Sequence, residues 1–218
     1  MQPARSQSPR ISLISAARAL SAGAVVVDGR PADVFDAGHV AGAVNIPAGG
    51  DDTGALAARL LSPDIPVIAV ATWRTEASWM ADRLGHAGFR WVLRALDSED
   101  ARRAFAGRSG HRSGAVEVDR LAGELATAGV LLLDVRDDDE WRAGHVPGSA
   151  HLPLERLREA AHLLPAVPIV TVCSGNRRAA AAASALRRLG HRNIWRVADG
   201  GVPELLARPL GLDLLGAA

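Results

Sequence analysis

The feature that most constrains this chain is that it contains much of itself twice. Asp28-Gly29-Arg30, Phe35, Gly38-His39-Val40-Ala41-Gly42-Ala43 and Asn45-Ile46-Pro47 return as Asp134-Val135-Arg136, Trp141, Gly144-His145-Val146-Pro147-Gly148-Ser149 and His151-Leu152-Pro153, each pair 106 positions apart. Self-similarity at a fixed spacing constrains the architecture before any local propensity is weighed. Leu84-Gly85-His86 returns as Leu189-Gly190-His191 at a spacing of 105, so the copies extend over most of the 218 residues. The repeat predicts two domains, residues 1–108 and 109–218. Their junction, Ala106 to Gly114, is a Gly, Ser and Arg stretch that reads as an exposed linker.

Each copy alternates helix and strand signals. Ser12 to Ala22 and Asp119 to Ala128 carry apolar residues at helical spacing, and each leads into an apolar run, Val25 to Val27 and Val130 to Leu133. Such runs suit strands buried on both faces of a parallel sheet. Further runs follow at Val67 to Val70 and Ile169 to Val172, each behind a proline, Pro66 or Pro168, at the strand entrance. In the second copy a helix over Ala179 to Leu189 ends at Gly190, and a last run spans Ile194 to Val197. The predicted class is α/β, each domain a mainly parallel sheet flanked by helices on both faces. Sites in such sheets lie beyond the carboxyl ends of the strands.

At that end the copies differ. From Val172 to Leu189 the second copy uses 17 positions, and from Val70 to Leu84 the first uses 14, which reads as three residues lost from the first strand-to-helix loop. The second loop is Cys173-Ser174-Gly175-Asn176-Arg177-Arg178-Ala179; the first is Ala71-Thr72-Trp73-Arg74-Thr75-Glu76, without a thiol or a glycine. A sulfur between a strand and a helix faces unsatisfied N–H groups and the positive end of the helix dipole. Arg177 and Arg178 add cations, and thiolates rather than thiols are nucleophiles. Gly175 is expected to take the backbone conformation that lets successive N–H groups converge on an anion. The loop reads as an exposed anion cradle centred on Cys173, the chain's one cysteine. Asp28 with Arg30 and Asp134 with Arg136 read as scaffold charge pairs. His39 and His145, present in both copies, read as structural hydrogen-bonding residues, and the tryptophans as packing.

Composition closes off other classes. With 25 basic and 24 acidic residues the net charge is +1, so no basic face is indicated for nucleic acid. No apolar stretch approaches the roughly 20 residues that span a bilayer, and Met1 to Arg10 lacks the apolar core of a secretory signal. These readings predict a cytoplasmic protein, where one cysteine stays a free thiol and makes neither a disulfide nor a cysteine metal site. No cofactor or metal is expected.

Together these residues resemble rhodanese (sulfurtransferase) domains. The Asp-x-Arg pair, the Gly-His-Val-x-Gly segment with its later Pro, the cysteine loop and the Gly-His after the helix all match. The arrangement also resembles the paired rhodanese region attached to metallo-β-lactamase-fold persulfide dioxygenases, although the His-x-His-x-Asp-His motif of the dioxygenase is absent. The resemblance implies a Cys173 persulfide, loaded by a small anionic donor such as thiosulfate and discharged to cyanide or a thiol. It also implies an inactive first domain, as in many tandem members. Common bacterial members place the loop glycine fourth and a Ser after the final Arg, where this chain has Gly175 third and Ala179. Phosphatase chemistry would require Arg at position 179. A non-catalytic persulfide or redox sensor is the alternative reading, and no protein partner is indicated.

Overall fold

The computed structural model describes residues 12–107, 109–125 and 129–207. The last three residues of the helix expected over Asp119 to Ala128, Arg108 of the junction and the Met1 to Arg10 stretch lie outside the described residues. In chain order the elements are α1 (Leu13–Ser21), β1 (Val25–Asp28), α2 (Ala32–Ala37), β2 (His39–Val40), β3 (Val44–Asn45), α3 (Thr53–Leu60), β4 (Val67–Ala71), α4 (Arg74–His86), β5 (Val92–Asp97) and α5 (Ser98–Ala104). The second half continues with β6 (Ser109–His111), β7 (Gly114–Val116), α6 (Val118–Leu125), β8 (Leu131–Asp134), α7 (Asp138–Ala143), β9 (Ala150–His151), α8 (Leu154–Ala160), a 3-10 turn (Ala161–Leu163), β10 (Ile169–Val172), α9 (Arg177–Arg188), β11 (Ile194–Val197) and α10 (Val202–Leu206).

The apolar runs form two sheets with helices packed on them. One has the order β3-β1-β4-β5 and the other β7-β11-β10-β8-β9; every pairing within both is parallel. Strands β1, β4 and β10 are buried along their whole length, as continuous apolar runs require. Pro66 and Pro168 stand just outside the strands, where they need no N–H; their carbonyls accept from Val25 N and Leu131 N at 2.8 Å. The chain is thus an α/β protein with two parallel sheets.

Strand register corrects the alignment of the copies. Val25 pairs with Val67 and Val67 with Val92, while Leu131 pairs with Ile169 and Ile169 with Ile194. From the second strand of each set onward the offset is therefore 102, not 105. The helix after that strand ends at His86 in one half and Arg188 in the other, and the left-handed residues beyond are Gly88 (φ 92°) and Gly190 (φ 101°). Leu84-Gly85-His86 lies inside α4 and matches Leu189-Gly190-His191 by letter alone. No residues are missing from the first loop: Ala71 occupies the place of Cys173, and Ala77 that of Ala179. The length difference lies earlier. Five residues, 48–52, separate Pro47 from α3, whereas α8 starts directly after Pro153.

The junction, exposed at 106, 107, 111 and 112, also carries two short strands. β6 pairs antiparallel with β2, His39 opposite His111, and β7 joins the second sheet beside β11. A strand this short is held by backbone bonds, so its side chains carry no periodic signal. β6 thus lies with the first half, past the expected boundary at residue 108.

The halves share one interior. Val44, Leu56 and Leu60 belong to the same apolar cluster as Leu133, Leu157 and Ala181. Helix α9 packs against β3 and α3 as well as β10, β11 and α8. All residues from Ala179 to Leu186 are buried, which explains a helix apolar on every side, its small alanines admitting close neighbours. Within that contact, Asn45 N donates to Ser184 Oγ at 2.8 Å. Fully burying one Leu or Val contributes about 1.5–3 kcal/mol, so the shared cluster makes each half depend on the other.

Candidate active site

Cys173 follows the last residue of β10, and Val172 stands in register with Asp134 at the carboxyl end of β8. Contrary to the expectation of an exposed thiol, Cys173 is 2% exposed and belongs to the apolar cluster shared by the halves. The segment that carries Gly201 and Val202 packs against its backbone carbonyl. Val202 N donates to Cys173 O at 2.9 Å, and Gly201 comes so near that a Cβ there would stand 2.2 Å from the same oxygen. A cavity of about 400 Å³ lies in the first half, lined by residues including Asp28, Arg30, His39 and Glu99.

Beyond Cys173 the chain returns to solvent, with Ser174 and Gly175 exposed. The left-handed residue of the loop is Asn176 (φ 64°), not Gly175 as expected. Its side chain is tied to the next strand end, Asn176 Nδ2 donating to Ala198 O at 2.9 Å. A Cβ on Gly175 would meet nothing within 4 Å.

The turn leaves its amides free. Arg177 N donates to Gly175 O at 2.8 Å and Ala180 N to Asn176 O at 2.9 Å. The N–H groups of Ser174, Gly175, Asn176, Arg178 and Ala179 have no hydrogen-bond partner among the described residues. Some belong to the first turn of α9, where the helix has no carbonyl to offer them. Ala179 itself is fully buried, and its carbonyl accepts from Thr171 Oγ1 at 2.8 Å.

Both arginines of the loop, the cations that the sequence offered to an anion, already have partners. Arg178 donates to both carboxylate oxygens of Glu140, Nη2 to Oε1 at 2.7 Å, and to Ser174 Oγ at 2.8 Å. Arg177 turns toward the first half, donating to Pro47 O at 3.0 Å, to Asp52, and to Thr53 Oγ1 at 3.2 Å. Glu140 was not legible as a site residue. Its carboxylate accepts from Arg178, from Ser174 Oγ at 2.7 Å and from Asp137 N at 3.2 Å. Its Arg178 partner above all lowers its pKa to about 2, against the opposing effect of burial. The same pairing raises the pKa of Arg178, with the nearby Cys173 sulfur adding to the effect. A signal for Glu140 was present in the repeat: the matching position is Val34, which is exposed.

The remaining predicted residues form a frame beneath the loop. Arg136 Nε donates to both Asp134 oxygens at 3.0 and 2.9 Å, and Nη2 to Oδ2 at 2.7 Å and to Gly144 O at 2.8 Å. Asp28 and Arg30 repeat this geometry in the first half, with Arg30 bonded to Gly38 O. His145 stacks on Trp141 with centroids 3.7 Å apart and bonds Trp141 O through Nδ1, as His39 does with Phe35. His145 makes no hydrogen bond to the cysteine loop among the described residues. His151 also stacks on Trp141, with centroids 4.5 Å apart, and bonds Arg136 O at 2.9 Å. Trp73 and Trp91 are 71% and 59% exposed, so packing does not describe those two.

Residues 117–208 match the family model described as Rhodanese-like domain. The chain is 31% identical over 70 residues to YrkF of Bacillus subtilis, named as a candidate sulfur carrier protein, covering 32% of this chain and 38% of that one. It is 30% identical over 70 residues to the uncharacterized protein YqhL of the same organism, covering 32% and 56%. The chain thus spans between about a third and just over half the length of these curated relatives. Among solved structures, the human single-domain sulfurtransferase TSTD1 is 26% identical, with 44% of this chain and 97% of that one covered at a TM-score of 0.40. A rhodanese-related protein from Thermoplasma volcanium is 27% identical, with coverage of 43% and 91% and a TM-score of 0.39. Residues 117–208 are thus similar in sequence to rhodanese-like domains.

Proposed function

We propose that this protein is a sulfurtransferase that carries a sulfane sulfur as a persulfide on Cys173. The observation that carries the reading is the placement of Cys173 at the carboxyl end of β10, ahead of five unpartnered amides, those of Ser174, Gly175, Asn176, Arg178 and Ala179. Fixed N–H dipoles stabilise an anion without reorganising. In this reading the Cys173 thiolate attacks the outer sulfur of a sulfane donor, the donor's S–S bond breaks, and its electron pair leaves on sulfite or a thiolate. An external thiolate or cyanide then takes the sulfur and releases Cys173. This is covalent catalysis in two steps. Glu140, Ser174 and Arg178 hold the loop in shape, and the Asp134–Arg136 pair fixes the strand end beneath it. The relatives named for sulfur transfer agree with this chemistry.

The first half is proposed to be a second rhodanese-like copy that has lost catalysis through composition, with Ala71 standing where Cys173 stands. The free thiol suits a reducing, cytoplasmic setting. The test is steady-state transfer from thiosulfate to cyanide. Cys173→Ser is expected to abolish turnover while the protein remains folded, and turnover persisting in that variant would refute the assignment.

A further inference from the structure

The cations and carboxylates around the cysteine loop form ion pairs that cross between the halves. Arg177 is received by the 48–52 segment peculiar to the first half: it bonds Asp52, and Gly50 lies so close that a Cβ there would stand 2.1 Å from its Nη1. Arg178 is taken by Glu140, with Asp137 at 3.7 Å. Arg59, from α3, bonds Asp137 at 2.9 Å and lies 3.8 Å from Glu155. Three cations thus face four carboxylates. In every pair the carboxylate is the more exposed partner, 60% against 30% for Asp52 and Arg177, and 35% against 21% for Glu140 and Arg178. An arriving donor therefore meets negative charge before it meets the free amides.

We infer that the donor for this site carries a single negative charge, an alkyl persulfide rather than dianionic thiosulfate, and that Asp52 of the first half is a specificity-determining residue. The inference rests on the sulfur-transfer reading and narrows it. The step needs no oxidant or reductant. The Cys173 thiolate attacks the outer sulfur of R–S–S⁻, taken as its protonated form R–S–SH. The donor's S–S bond breaks, its electron pair departs on R–S⁻, and the proton stays on the new Cys173 persulfide until water removes it. With thiosulfate the same attack must bring a second negative charge past Asp52 and Glu140.

The test is the rate of sulfur loading onto Cys173 in the full chain, followed by quenching and mass spectrometry, with thiosulfate and 2-hydroxyethyl persulfide as donors. Wild type is expected to load faster from the persulfide. Asp52→Asn, at an exposed position, is expected to raise the thiosulfate-to-persulfide ratio about fivefold, the effect of one unit charge a few ångströms away in a solvent-like dielectric. Glu140→Gln is expected to move it the same way, and half-molar salt to raise it in wild type by screening. A ratio unmoved by Asp52→Asn and by salt, or a thiosulfate rate that salt lowers, overturns the inference while leaving sulfur transfer intact. Wild type that loads from neither donor overturns the sulfur-transfer reading itself.

Discussion

The loop places unequal demands on two adjacent residues, and substituting alanine at each separates them. At Asn176 the backbone sits at φ 64° and Nδ2 bonds Ala198 O at 2.9 Å. Alanine there meets the left-handed penalty of roughly 1–2 kcal/mol, part of which asparagine already bears, and loses a hydrogen bond worth about 1 kcal/mol. Both Asn176→Ala and Asn176→Gly lose that bond, and both remove Oδ1, which is buried without a hydrogen bond among the described residues, so this relief is common to the two. They differ in the backbone: Asn176→Ala is expected to be less stable than Asn176→Gly by about 1–2 kcal/mol. Gly175 lies outside the left-handed region, with open space at its Cβ position. Gly175→Ala is expected to fall within about 0.5 kcal/mol of wild type. Urea unfolding monitored by circular dichroism, compared at constant m-value, reads all three. A Gly175→Ala variant that loses more than Asn176→Ala would refute this account of the turn.

Two other perturbations probe the frame. Arg136→Met strands Asp134, whose side chain is 0% exposed, and is expected to cost about 3–5 kcal/mol in urea unfolding; adding Asp134→Leu should recover much of that loss. Glu140 has a folded-state pKa of about 2, below its ordinary 4.5. Its contribution to stability is therefore full above 4.5 and is lost as pH falls toward 2. Glu140→Gln should flatten the urea midpoint over that window relative to wild type, and an unaltered pH profile would contradict the pairing with Arg178.

Much of the fold was legible in the sequence because buried parallel strands write continuous apolar runs. Val25 to Val27, Val67 to Val70, Ile169 to Val172 and Ile194 to Val197 all lie in strands. What misled was correspondence by letter. Leu84-Gly85-His86 resembles Leu189-Gly190-His191, but helix ends are set by the residue that can turn left-handed, and in α4 that residue is Gly88. The apparent deletion in the first loop followed from that error. Gly175 drew attention for the conformational freedom that the structure requires of Asn176, since glycine permits a left-handed φ without demanding one.

The site was legible where it is local and hidden where it is not. The Asp-x-Arg pairs are two residues apart and bond each other in both halves. Glu140 lies 34 positions from Ser174, and Asp52 lies 125 from Arg177. Only the packing of α7 and of the 48–52 segment around the loop brings these groups together. Burial of Cys173 likewise places it in an apolar cluster drawn from both halves, which no spacing rule conveys.

The central claim is that Cys173 holds a transferable sulfur above the free amides of its loop. Intact-mass and peptide-level mass spectrometry after exposure to a sulfane donor reads it directly. The account predicts one added sulfur, confined to the peptide containing Cys173 and removed by a thiol. Protein that gains no sulfur from any sulfane donor, or gains it elsewhere in the chain, would contradict it.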